Sequence, residues 1–213
     1  ILANLRAAVG DGIDIGLHAH GELTVHAAVR LARDAEPYRP AFLEEPTHPD
    51  DPEALAAVAA KVDVPLAAGE RLYSKWAMYD LIRRGVVQLV QPETTRLGGI
   101  TELKKIASIA EAAGVYVAPH AGSVGPIVEM ANVHVMATTP NFLFLEHMPR
   151  DIARRHTVVR GGARVVDGHI PLPTAPGLGI EPDLEEIARY GLLPPEDYTY
   201  TFRNPEDIRR WRA

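Results

Sequence analysis

The sequence predicts an α/β protein built as a (β/α) barrel of the TIM type, with the last six strand units present. Short apolar runs alternate with segments of helical periodicity along most of the chain. The repeat is regular, because successive units are 23 to 27 residues long. An ionisable side chain ends each apolar run, and in such barrels the strand ends share one functional face.

Six apolar runs are predicted to be strands. They are IDIGL (13–17), AFLEEP (41–46), VPLAAGE (64–70), VVQLVQPE (86–93), VYVAPH (115–120) and NFLFLE (141–146). Runs of this kind, without polar alternation, are typical of parallel strands that helices cover.

Amphipathic segments between these runs are predicted to be helices, over about 23–35, 51–62, 74–85, 99–114 and 126–139. Pro52 and Glu53 suit a first helical turn, Ser74 is a predicted N-cap, and Gly85 and Gly114 are predicted stops. In the first of these helices four residues are expected to face the core: Leu23, Ala27, Val29 and Leu31.

The two ends of the chain depart from the repeat. Residues 1–9 have helical periodicity, so we expect the chain to begin inside a structure, with two barrel units before Ile1. Residues 158–183 contain Gly–Gly, Asp–Gly and Pro–Gly pairs and are predicted to form hairpins. We assign residues 1–148 to a partial barrel and residues 149–213 to a C-terminal segment that packs on it.

The composition excludes several classes of function. The absence of cysteine excludes disulfides, thiolate metal ligands and a thiol nucleophile, and it suits the cytoplasmic location that we expect. The net charge is −6 and there is no basic patch with interleaved aromatic residues, so no nucleic-acid partner is expected. No membrane partner is expected either, because no apolar run approaches the roughly 20 residues that cross a bilayer.

The strand ends predict one pocket. Six titratable residues are expected to ring it: His18, Glu44, Glu70, Glu93, His120 and Glu146. His20 follows two residues after His18. From the residues alone, these two histidines fit metal ligands, acid–base groups or polar loop residues. Arg71 fits either a substrate contact or a pair with a neighbouring glutamate.

Seven stretches carry a resemblance to a known family: LHAHGEL, YRPAFLEEP, PLAAGER, QPETTRLGGITELKKIA, VAPHAGSVGPI, FLEHM and PGLGIEPD. Their order resembles the barrel domain of the enolase superfamily, in the mandelate racemase subgroup, and above all its acid-sugar dehydratases, such as the galactonate dehydratases. The resemblance extends from about residue 12 to residue 183. It implies a separate N-terminal capping domain, absent from this chain, to which the C-terminal segment returns.

The resemblance implies a metal site. Glu44 and Glu70 match two ligands of one Mg²⁺, and His18 stands where the family has an aspartate. Because imidazole is an uncharged and less hard donor than carboxylate, Mg²⁺ is expected to bind less well, and Mn²⁺ or another divalent metal also fits. Protonation of His18 is expected to make binding depend on pH near neutrality.

The resemblance also implies roles in catalysis. His120 matches the base that removes the proton beside the substrate carboxylate, with Glu93 in place of the family's aspartate. His20 matches the acid that protonates the leaving hydroxyl group, and Glu146 matches a residue that stabilises the enolised intermediate.

The implied function is metal-assisted dehydration of a sugar acid, such as galactonate, to a 2-keto-3-deoxy acid through an enediolate. The substrate is a small molecule, and a homo-oligomer is expected. Two alternatives stay open. One is a racemase or epimerase of a 2-hydroxy acid, which would use His120 as a base but would not need His20 as an acid. The other is a family member without catalytic activity, which the departure of His18 from the family pattern favours.

Overall fold

A computed structural model describes residues 1–122, 124–148 and 157–190. Five parallel strands form one sheet in chain order: β1 (Gly16–His18), β2 (Phe42–Glu44), β3 (Leu66–Ala68), β4 (Leu89–Val90) and β5 (Tyr116–Val117). The sixth predicted strand position makes a single parallel bridge, between Val117 and Phe142. Each strand pairs with the next one along the chain, as the alternation of apolar runs and helices predicts.

Helices connect the strands. Residues 1–122 and 124–148 contain seven of them: α1 (Leu2–Val9), α2 (Val25–Ala35), α3 (Pro52–Ala59), α4 (Lys75–Arg83), α5 (Thr94–Leu97), α6 (Ile100–Ala112) and α7 (Pro126–Met136). A 3₁₀ turn follows α2 at Glu36–Tyr38.

The starts of three helices are fixed by local side-chain chemistry. The side chains of Thr24, Asp51 and Ser74 each accept a hydrogen bond from the backbone N–H three residues later. These caps satisfy amide groups that have no partner within the helix. The helix predicted from Leu23 therefore begins at Val25, after its threonine cap, whereas the predicted Ser74 cap is confirmed.

The core lies between the sheet and the surrounding helices. Leu43, Leu66 and Val117 of the strands pack with Met78 and Ile106 of the helices, and all five are almost completely buried. The other face of the sheet carries a smaller cluster that joins Ala67, Leu89 and Ala118 to Phe42 and Phe144.

Two aromatic rings report the curvature of the sheet. The Phe42 and Phe144 rings stack with their centroids 5.9 Å apart, although they belong to β2 and to the sixth strand position. Strands that are not neighbours meet in this way only where the sheet curls around an inner face, as a barrel wall does.

The predicted inward face of α2 is partly wrong. The fully buried residues are Ala28, Ala32 and Ala35, at helical spacing, whereas Leu31 is 39% exposed. Leu23 and Val29 are partly buried against the core, as predicted, and Ala27 is only partly buried. Small alanine side chains allow the helix to approach the sheet closely, so the stripe of larger residues did not mark its inner face.

The described part of the C-terminal segment contains the predicted hairpin. Strands β6 (Val159–Gly161) and β7 (Ile180–Pro182) pair antiparallel, and helix α8 (Leu184–Tyr190) follows. Four side chains of this segment pack against Met130 and Val133 of α7: Ala163, Ile170, Leu178 and Ile180. Residues 149–156 and 191–213 of this segment lie outside the described residues, and the return of the segment to a capping domain stays a prediction. Within the described ranges, no helix has the length and apolar character needed to cross a membrane.

Leu43 and Leu31 form a matched test of this packing. We expect Leu43→Ala to lower the free energy of unfolding by about 2–5 kcal/mol, because it opens a cavity in the core. Leu31→Ala removes the same atoms from an exposed position and should change that free energy by no more than about 0.5 kcal/mol. Urea denaturation measures both values, and equal losses in the two variants would contradict the inner face that we assign to α2.

Candidate active site at the strand ends

The register of the sheet gathers the candidate residues. His18 and Glu44 end β1 and β2 and lie opposite each other in the parallel pairing. Glu70, Glu93 and His120 follow the ends of β3, β4 and β5 by two or three residues. Because all five strands run parallel, these side chains leave the sheet at the same edge.

His18, Glu44 and Glu70 form a cluster with the geometry of a cation site. Each offers one ligand atom, and the three atoms lie within 4.8 Å of one another. His18 Nε2 is 3.6 Å from Glu44 Oε1. Glu70 Oε2 is buried and has no hydrogen-bond donor among the described residues. Two buried carboxylates and one imidazole fit a divalent metal ion, and we refer to these three residues as the carboxylate cluster.

Burial perturbs the acid–base properties of this cluster. Removal from water raises the pKa of Glu44 to about 8, and the nearby charges of Glu70 and Glu146 act in the same direction, while a hydrogen bond from Gln91 opposes them. Burial, together with the neighbouring His20, lowers the pKa of His18 to about 4. At neutral pH His18 is therefore in the neutral form that can ligate a metal. Near neutrality, the pH dependence of metal binding is therefore expected to come from Glu44 and not, as the sequence predicted, from His18.

His120 lies between two carboxylates. Its Nε2 is 3.3 Å from Glu70 Oε2, and its Nδ1 is 3.5 Å from Glu93 Oε2. The second distance is too long for a good hydrogen bond, but it places Glu93 on the side of the ring opposite the carboxylate cluster. This arrangement leaves Nε2 as the ring nitrogen that faces the pocket.

Arg96, which was not among the residues predicted from the sequence, links two elements of this part of the site. Its Nε is 2.8 Å from Glu93 Oε2, and its Nη1 donates a 2.7 Å hydrogen bond to the backbone carbonyl oxygen of Glu70. The guanidinium group therefore links the ends of β3 and β4. Arg96 lies on the short helix α5, three residues after its N-cap residue Glu93, and this spacing is typical of side chains that pair on a helix surface.

His20 lies beside the cluster on the side of His18. The two imidazole rings stack with centroids 3.6 Å apart and an interplanar angle of 28°. His20 is exposed and has a positive φ of 51°, which is uncommon for a residue other than glycine. It is therefore open to a ligand in the pocket.

Glu146 approaches the loop that carries His120. Its Oε2 accepts a 2.6 Å hydrogen bond from the backbone N–H of Ala121. A Cβ atom at Gly122 would lie 2.8 Å from His120 Nε2 and 3.2 Å from Glu146 Oε1, so a larger residue here would displace the His120 ring or the Glu146 carboxylate. The structure thus brings all seven predicted site residues to one edge of the sheet, and their chemical roles stay predictions.

Other polar residues have structural partners. Arg71 pairs with Glu45, as expected under the second of its two alternatives, a pair with a neighbouring glutamate. His147 forms a hydrogen bond with the buried Glu129 of α7. His48 is exposed and accepts a hydrogen bond from the Asp50 backbone N–H.

The comparison with known protein families agrees with this architecture. Residues 1–187 match the model of the enolase C-terminal domain-like family. The chain therefore belongs to the enolase superfamily, as a C-terminal domain of the type that forms its barrel.

Individual relatives refine this assignment. A D-galactonate dehydratase of Xanthomonas axonopodis pv. citri (strain 306) is 37% identical over 210 residues, which cover 96% of this chain and 53% of that protein. The chain thus spans about half the length of the curated relatives it matches.

Solved structures confirm the predicted barrel fold. A mandelate racemase/muconate lactonizing enzyme-like protein from Roseovarius sp. TM1035 matches with 42% identity and a TM-score of 0.83, over 89% of this chain and 47% of that one. A mandelate racemase/muconate lactonizing enzyme from Jannaschia sp. CCS1 matches with 38% identity and a TM-score of 0.84, over 91% of this chain and 49% of that one.

The perturbed pKa values predict how stability depends on pH without metal. The pKa of Glu44 is raised from 4.5 to about 8, so the folded chain binds more protons than the unfolded chain between these values and loses stability as pH rises. The pKa of His18 is lowered from 6.5 to about 4, which has the opposite effect below pH 6.5. Above pH 6.5 the gain from His18 no longer offsets the loss from Glu44.

We therefore expect the free energy of unfolding, measured with a chelator present, to fall between pH 6.5 and 8. Glu44→Gln should remove this fall, because the amide does not titrate. Urea denaturation at several pH values measures both proteins. Parallel pH profiles for wild type and Glu44→Gln would show that Glu44 is not the group that titrates.

Proposed function

We propose that this chain provides the catalytic barrel of an acid-sugar dehydratase, which removes water from an aldonate such as galactonate to give a 2-keto-3-deoxy acid. The single observation that carries the proposal is the placement of two imidazoles around the carboxylate cluster. His120 lies beside Glu70, and His20 lies beside His18. Dehydration beside a carboxylate needs both a base and an acid, and the pocket offers one of each.

Glu44, Glu70 and His18 would hold the metal ion, which we propose to be Mg²⁺, or Mn²⁺ because of the imidazole ligand. When bound, the ion neutralises negative charge that develops on the substrate carboxylate after proton loss. The raised pKa of Glu44 supports this assignment, since a buried carboxyl group that holds its proton to about pH 8 lacks a positive partner.

His120 takes the proton from the carbon beside the substrate carboxylate at its Nε2 atom. The C–H electron pair moves into the carbon–carboxylate bond, and an enediolate results. Glu93 orients the imidazole and stabilises its protonated form, and Arg96 holds Glu93 in place. Glu146 is assigned to stabilise the enolised substrate.

His20 completes the reaction. It donates a proton to the hydroxyl group on the next carbon, so that the C–O bond breaks and water leaves. The resulting enol becomes the 2-keto-3-deoxy acid by tautomerisation. The exposure of His20 in the pocket supports this role, because the acid must reach a substrate hydroxyl group.

One observation favours a different function. His18 removes a negative charge from the ligand set, and a family member that binds a sugar acid without turning it over would tolerate that loss. Against it, the lowered pKa of His18 keeps the imidazole able to ligate a metal at neutral pH. The homo-oligomeric state, the cytoplasmic location and the sugar-acid substrate belong to this proposal for the whole protein.

The two histidines are predicted to act at separate steps. His120→Asn should abolish exchange of the proton beside the carboxylate, whereas His20→Asn should keep this exchange and lower dehydration by about 10²- to 10⁴-fold. Incubation with galactonate in D₂O, followed by NMR, measures exchange and product in the same sample. His26→Asn is the matched control, since His26 is exposed on α2. Intact exchange in the His120 variant would remove it as the base.

His18→Asp restores the acidic ligand that the family pattern has. We expect it to tighten Mg²⁺ binding by at least about tenfold, because a charged oxygen donor replaces a neutral nitrogen. Affinity should rise from pH 6.5 to 8 in both proteins, since Glu44 must lose its proton to bind. Titration calorimetry measures both effects. Equal Mg²⁺ affinity in the two proteins would mean that His18 faces away from the metal.

A further inference from the structure

The turn that carries His20 is held by backbone hydrogen bonds to the end of β2. Ala19 N–H donates to Glu44 O at 3.0 Å, and Gly21 N–H donates to Glu45 O at 2.6 Å. His20 and Gly21 both have positive φ values, 51° and 67°, and Glu45 has a φ of 41°. Left-handed backbone is unfavourable for histidine and glutamate, so surrounding contacts must hold this conformation.

A buried ion pair lies directly under this turn. Glu45 is 2% exposed, and its Oε2 atom accepts a 2.8 Å hydrogen bond from Arg71 Nε and lies 2.6 Å from Arg71 Nη2. Burial raises the pKa of Glu45, and the hydrogen bond from Arg71 opposes that rise. The carboxylate is therefore kept in place by one guanidinium group.

Gly21 packs against that guanidinium group. A Cβ atom at Gly21 would overlap Arg71 Nη2 and would lie 3.0 Å from the Thr47 carbonyl oxygen. Arg71, three residues after the end of β3, thus packs against the turn that follows β1. Glu45, the residue after β2, accepts a backbone hydrogen bond from Gly21 of the same turn. The proposed dehydration uses neither Glu45 nor Arg71.

We propose that Glu45 and Arg71 are positioning residues that keep the turn of residues 18–21 in place and thereby hold His20 against His18, where it can reach the leaving hydroxyl group. The catalytic consequence rests on the proposed function, in which His20 is the acid. A direct contact between Arg71 and substrate is the rival role. Two observations weigh against it: Arg71 Nε donates its hydrogen bond to Glu45 Oε2, and Arg71 Nη2 is buried 2.6 Å from the same oxygen.

The test separates the step of His20 from the step of His120. Arg71→Gln and Glu45→Gln should lower dehydration of galactonate at least tenfold, while proton exchange beside the carboxylate stays within twofold of wild type. The matched control is Arg84→Gln, which breaks ion pairs to Asp80 and Glu53 on the outer helices and should change neither rate. A parallel fall of both reactions in the Arg71 variant would overturn the proposal in favour of substrate binding or general destabilisation.

A second measurement does not depend on activity. The ring protons of His20, assigned with His20→Asn, should shift in the NMR spectrum of Arg71→Gln, because the stack on His18 is lost. They should not shift in Arg84→Gln. If the wild-type protein catalyses neither exchange nor dehydration, the proposed function fails, and this spectrum still decides the positioning role. An unchanged His20 signal in Arg71→Gln would overturn it.

Arg71→Gln and Glu45→Gln each leave a buried charge unpaired, and such a variant can fail to fold. Gly21→Ala is therefore a third variant that tests the same turn. It keeps both charges, and its added methyl group overlaps Arg71 Nη2 and also strains the left-handed backbone at this position, where φ is 67°. We expect the same selective loss of dehydration and the same shift of the His20 signal. Wild-type behaviour of Gly21→Ala in both measurements would contradict the support of this turn by Arg71.

Discussion

The parallel register of the sheet imposes one constraint on the whole site: it concentrates buried carboxylates at a single edge. Glu44, Glu70 and Glu93 are each less than 10% exposed and leave successive strands in the same direction. Carboxylates that are taken out of water together need positive charge or protons nearby. This requirement for compensating charge explains which residues surround the buried carboxylates.

The protein supplies a positively charged partner to some of these carboxylates but not to all of them. Arg96 pairs with Glu93, and Arg71 pairs with Glu45. Among the residues that the structure describes, no lysine or arginine side chain forms an ion pair with Glu44, whose nearest charged neighbours include other carboxylates. Glu93, which lies beside His120, and Glu45, which lies beside the turn of His20, are therefore neutralised by arginine side chains. Glu70 Oε1 lies 3.9 Å from Arg96 Nη1, at the outer limit of an ion pair, whereas Glu44 is left for an external cation.

The sequence allowed the positions of the site residues to be predicted, because the unit length and the strand ends follow from chain periodicity. His18 and Glu44 lie opposite each other for that reason. The partners could not be predicted in the same way. Arg96 and Arg71 each had several carboxylates within reach along the chain, and only the folded geometry selects Glu93 and Glu45. Similarly, Leu31 has a buried-helix pattern but is exposed, because α2 packs through alanines.

We propose that His18, Glu44 and Glu70 bind one divalent cation that completes the charge balance of the site. Anomalous diffraction from crystals grown with Mn²⁺ tests it most directly. The account predicts one strong anomalous peak between His18 Nε2 and the carboxylates of Glu44 and Glu70, and the loss of that peak in Glu44→Gln. Mn²⁺ bound elsewhere in the barrel, with no ion at the carboxylate cluster, would contradict this assignment.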